Sequence, residues 1–213
     1  MSKRVEAVQV ERSGFSITVP DGWWEFEIRP ELRDQAIRRL MDERVRLRPD
    51  VAGHREVMER FLRREAANAW DAGAAYIGCM AQAFGDEDAL VTATLTVTLL
   101  SPRTEDGAPL PTDPGSVAGQ LKEIRARKAG DPWRAVSVTE IAGVGQVART
   151  RGVEDVAPAG DRRVMRVAMM QTFVPVPGAG HQIALISGTT RNLELTDSFF
   201  DVFDAVTSTF RFI

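Results

Sequence analysis

Twelve consecutive residues, ALVTATLTVTLL at Ala89–Leu100, constrain this chain more than any other stretch. Val91, Ala93, Leu95, Val97 and Leu99 alternate with Thr92, Thr94, Thr96 and Thr98, which is the two-residue period of a strand. A strand with one apolar row and one hydroxyl row fits an antiparallel sheet that covers a core on one side, and the threonine row is expected to be its solvated face. Just upstream, AAYIGCMAQAF at Ala74–Phe84 is a continuous apolar run, and Gly85–Asp88 offers a turn between the two, so they form an antiparallel pair.

The same reading places other elements around this pair. Val5–Val10 and Phe15–Val19 are β-branched runs separated by ERSG and read as an opening hairpin. Pro20-Asp21-Gly22 is a turn, after which Trp24, Phe26 and Ile28 would share one strand face while Trp23 points to the other. Pro30 can open a helix whose Leu32, Ala36, Ile37, Leu40, Met41 and Val45 recur at the helical period, and a second helix fits His54–Ala72. Further strands fall at Trp133–Val138, Gly145–Thr150, Val164–Val174 and Gln182–Ser187, with a helix at Gly115–Lys128 before them. A last helix, Glu194–Thr209, carries Leu195, Phe199, Val202, Phe203 and Val206 on a wide apolar stripe that Phe210 continues. The predicted class is α+β: a mostly antiparallel central sheet flanked by helices, in a single domain spanning residues 1–213, with Pro30–Ala72 as an inserted helical hairpin.

Composition narrows the function classes. With 44% hydrophobic and 27% charged residues, the 213-residue chain is neither disordered nor fibrous. One cysteine, Cys79, allows neither an internal disulfide nor a cysteine-based zinc site. No 20-residue apolar run suits a membrane span, and the N-terminal residues lack the apolar core of a standard export signal, so a cytoplasmic location is expected. A net charge of −3 gives no footprint for nucleic acid. Charge is nevertheless segregated: Arg29–Glu65 holds eleven arginines against eight acids, while Asp86–Asp113 holds six acids and one arginine.

No catalytic constellation emerges. His54 and His181 are isolated, Cys79 sits in an apolar strand without a basic neighbour, and no metal or other cofactor is expected. Gly143-Val144-Gly145-Gln146-Val147-Ala148 matches a dinucleotide fingerprint only formally, because no helix signal follows it, and Ser187–Thr190 reads as a strand end. Met80, Met165, Met169 and Met170 read as gap-filling core.

The FSITVPDGW pattern at Phe15–Trp23 and the phenylalanine-rich Phe199–Phe212 segment resemble the Mog/PsbP-like fold group, which includes bacterial DcrB- and LpqN-type relatives. The resemblance implies an α/β/α sandwich and a non-catalytic, protein-binding or chaperone-like adaptor, linked to a bacterial secretion or effector system. Within that reading Trp24 seals the core under the terminal helix, and Trp23 is the candidate contact for a protein partner. The hairpin departs from the group, and its outward Arg38, Arg39, Arg63 and Arg64 form a candidate surface for an acidic partner, or for one with an apolar segment. The plainer reading is a solvated face balanced by pairs such as Asp34 with Arg38 and Glu56 with Arg60. A small-molecule enzyme with a pocket between sheet and helices, and a homo-oligomer assembling through Trp23 or the threonine row, remain the alternatives.

Overall fold

The computed structural model describes residues 14–83, 90–157 and 164–213. Strands β3 (Ala74–Ala83) and β4 (Leu90–Leu100) pair antiparallel, with Cys79 opposite Thr94 and Tyr76 opposite Val97. The turn expected at Gly85–Asp88 and the strand expected at Val5–Val10 lie outside the described residues. Phe15–Ser16 (β1) pairs with Arg211–Phe212 (β9), which brings the two ends of the described chain together.

The main sheet adds the two-residue β2 (Trp24–Glu25) to one side of β3 and runs on through β8 (Ile183–Thr190), β7 (Met165–Pro175), β6 (Gly145–Val156) and β5 (Trp133–Ile141). The order is β2-β3-β4-β8-β7-β6-β5, antiparallel throughout. The Gly143–Ala148 pattern lies on the β5–β6 hairpin, where Gly143 and Gly145 take positive φ of 76° and 102° that side chains rarely adopt. It is turn chemistry, with no nucleotide-binding helix behind it.

Alternation sorts the side chains into two cores. On one face α4 (Thr196–Ser208) lays Phe199, Phe203 and Val206, followed by Phe210, onto Ala93, Leu95, Val97, Ala168, Met170 and Ile186. On the other face α1 (Pro30–Leu47) and α2 (Arg55–Asp71) bury Ile37, Met41, Met58, Leu62 and Ala66 against Ile77, Cys79 and Ala81. A short α3 (Pro114–Gln120), N-capped by Asp113, packs Val117 on Ala148 and Ile183 further along. Helices on both faces of an antiparallel sheet make the α+β sandwich that the pattern predicts.

Two expectations are corrected. The helix drawn to Lys128 stops at Gln120, because Leu121 takes extended angles and Ile124 exchanges backbone hydrogen bonds with Arg134 of β5 (3.0 and 2.8 Å). The threonine row is not solvated either: Thr92, Thr94 and Thr98 are buried. Helix α2 lies over that part of the sheet, and the Thr94 hydroxyl donates to Glu65 (3.3 Å), which satisfies a group that burial alone would penalise.

Cys79 is a core residue. Its thiol lies 3.8 Å from the Thr94 hydroxyl and is fully buried, and burial, reinforced by Glu65, pushes its pKa well up. The thiolate is the reactive form, so native protein at pH 8 is expected to react with a chromogenic disulfide roughly 100-fold or more slowly than denatured protein. Comparable rates in the two states would show that the sheet centre opens freely.

Candidate functional site

Pro20-Asp21-Gly22 closes a turn in which the Trp23 amide donates to the Pro20 carbonyl (3.2 Å) and Gly22 takes φ 93°. The two residues that follow leave this turn on opposite sides of the sheet. Trp23 enters the core beneath the terminal helix, whereas Trp24 enters the core of the hairpin with Ile37, Met41 and Met58. The residue beneath the terminal helix is therefore Trp23, only 9% exposed, and not Trp24, which seals the hairpin side instead.

Because the tryptophans plug different cores, a notch remains where they diverge. It is a cleft of about 690 Å³ between the hairpin, the β3 edge and α4. Its apolar wall includes Trp23, Met58, Met80 and Phe199, and its polar side holds Arg44 and Arg48 together with Asp21, His54 and Gln82. The Arg44 guanidinium sits 5.3 Å from the Trp24 ring centroid. Burial lowers its pKa from the ordinary arginine value; Glu43 opposes the shift and Arg48 adds to it. Among the described residues Arg44 forms no ion pair, and the buried Trp24 Nε1–H has no hydrogen-bond partner. Both groups only donate. The site thus offers a half-buried cation without an ion pair and an indole donor without a hydrogen bond.

The four arginines singled out in the sequence divide into two pairs. Arg38 and Arg39 are exposed and form no ion pair among the described residues. Arg63 is held by Glu59 (2.7 Å) and by Asp34 of α1 (3.6 Å), so Asp34 serves the interhelical seam. Arg64 pairs with Glu65 (3.1 Å) and lies over Phe61. The expected Glu56–Arg60 pair is present at 3.7 Å. None of the four lines the cleft.

A second cavity, of about 310 Å³, opens between α2 and the sheet, with Phe61, Met165 and Val167 as its apolar wall and Glu65, Thr94 and Thr189 among its polar groups. Among the described residues no cluster of histidine, cysteine and carboxylate side chains could hold a metal ion, and no helix is long and apolar enough to cross a membrane.

No protein-family description and no curated protein matches this chain. Solved structures do align along it, among them the following two. One is LpqN, involved in cell envelope biogenesis of Mycobacterium tuberculosis, with 11% identity and a TM-score of 0.43 over 100% of this chain and 90% of that one. The other is the cyanobacterial PsbP of Synechocystis sp. PCC 6803, with 12% identity and a TM-score of 0.43 over 98% and 92%. Both names belong to the group that the terminal sequence patterns resemble. At this level the likeness carries no statement about function.

Proposed function

We propose that this protein is a non-catalytic adaptor whose tryptophan-walled cleft holds a segment of a partner protein, one that presents apolar side chains beside a carboxylate. The observation that carries the reading is the unmatched pair of donors, Arg44 and the Trp24 indole, in a cleft that sets an apolar wall beside polar groups. A half-buried cation without a counter-ion is costly in the free protein, and a carboxylate that supplies both charge and lone pairs removes that cost on binding. Met58 and Met80 add adaptable apolar surface, which suits side chains of varied shape.

The test is fluorescence anisotropy with a labelled peptide that alternates leucine and aspartate, beside a control with lysine in place of aspartate. Arg44→Gln should weaken binding of the acidic peptide about tenfold or more, because a hydrogen bond to a charged group contributes about 1.5 to 3 kcal/mol. The lysine peptide should not bind. Equal affinity for both peptides, or an Arg44→Gln variant that binds like the wild type, would refute the reading. A small-molecule role rests on the second cavity, and a metabolite that raises the melting temperature of the wild type but not of Phe61→Ala would support it.

A further inference from the structure

The two ends of the sheet are finished differently. One end is β2, two residues long, and short edge strands are a common way to avoid unwanted pairing. The other end is β5, nine residues long, with no proline and no lysine. Its one arginine, Arg134, is bound to Glu154 of the neighbouring strand, with Nε 2.7 Å from Oε1. Val138 is 44% exposed on this edge.

The direction of the free backbone groups follows from a single bridge. Arg134 exchanges both its amide and its carbonyl with Ile124, on the side away from β6. Backbone groups alternate along a strand, and β5 pairs with β6 without a register shift, so Val136, Val138 and Glu140 also turn their N–H and C=O outward. Among the described residues none of these groups has a partner. The open stretch is bounded at its start by the Ile124 bridge and at its end by the Ala142–Val144 turn into β6.

We propose that this edge is a two-fold interface, on which a second copy of the chain pairs its own β5 antiparallel about Val138 to make a continuous sheet across the dimer. That register sets Val138 opposite its own copy and Val136 opposite Glu140, so every outward group between bridge and turn finds a partner. The bounds are reciprocal as well. The position facing Arg134, which Ile124 already occupies, falls on Ala142 of the copy, where the chain has left the edge. A dyad one residue earlier would drive the copy's Glu140 against the Ile124 bridge, and one centred on Glu140 would set two carboxylates face to face. This surface is independent of the cleft and replaces both surfaces that the sequence suggests for self-assembly, since Trp23 and most of the threonine row are buried.

Sedimentation velocity over a range of concentrations tests the proposal. The wild type should show a concentration-dependent dimer. Val138→Pro removes an outward donor without touching the β5–β6 ladder, and Val138→Lys places like charges on the dyad. Each should raise the dimer Kd about tenfold or more while the melting temperature stays within a few degrees. Val138→Cys should cross-link to a covalent dimer on mild oxidation, because directly opposed residues of a hydrogen-bonded pair have Cα atoms about 5.5 Å apart, within disulfide reach. Ser137→Cys should not, since Ser137 faces Thr139 of the copy, and native Cys79 is buried. A wild type that stays monomeric at the highest soluble concentration, or a dimer that survives both Val138→Lys and Val138→Pro, would overturn the proposal. So would a Val138→Cys variant that fails to cross-link although the wild type dimerises.

Discussion

A chain ending at Asn192 is expected to show no cooperative thermal transition and to lose its near-ultraviolet circular dichroism. Removal of α4 uncovers one whole face of the sheet, because Phe199, Phe203, Val206 and Phe210 pack on Leu95, Met170, Ala184 and Ile186. It also takes away β9, the partner of β1, and the bonds from Thr18 and Ile213 that join the two ends of the chain. Burial of one such side chain contributes about 1.5 to 3 kcal/mol, so four of them contribute roughly 6 to 12. That equals the net stability of a typical domain, about 5 to 15 kcal/mol. A truncated chain that stays soluble and melts in a single sigmoidal transition would show that the hairpin side of the sheet folds alone.

This helix was legible because its signal is local: phenylalanines recur at helical spacing, and burial follows from their chemistry. The β3–β4 antiparallel pairing was legible for the same kind of reason. The threonine row misled because threonine is equally at home on a wet strand face and beneath a helix that supplies an acceptor. The deciding partner, Glu65, lies on α2, twenty-nine positions from Thr94. Helix α3 was overdrawn because Leu121 and Ile124 share its spacing, yet the backbone of Ile124 is taken by an edge strand that arrives later in the chain. The cleft was hidden for a further reason, since its walls come from the first turn, the hairpin, β3 and α4. A trace of it can still be found in the sequence. From Ile37 and Met41 the buried stripe of α1 continues at the half-buried Arg44, and from Met58, Leu62 and Ala66 that of α2 is joined by Glu65. Ionisable residues in an apolar stripe mark the places where the two helices stand off the sheet, and each such place is a cavity.

Gly188→Ala is expected to lower the melting temperature by about 2 to 12 °C, although it adds a single methyl group. The new Cβ would stand 2.5 and 2.6 Å from Cγ and Cδ1 of Phe203, well inside contact distance. Neither side has room to yield. Gly188 lies within β8 between Leu95 of β4 and Met170 of β7, and Phe203 is fully buried in the α4 face. Overpacking of this kind costs about 1 to 3 kcal/mol and occasionally more, and a chain of this size loses about 2 to 4 °C for each. Phe203→Ala alone should cost about 3 to 5 kcal/mol through the cavity it leaves. The two changes are opposite errors at one place, so the double variant is expected to be more stable than the sum of the single losses by about 2 kcal/mol, the new methyl occupying space the ring has vacated. Chemical denaturation of the four proteins measures that coupling. Strict additivity would mean that Gly188 and Phe203 do not touch, and the placement of α4 across the centre of the sheet would have to be given up.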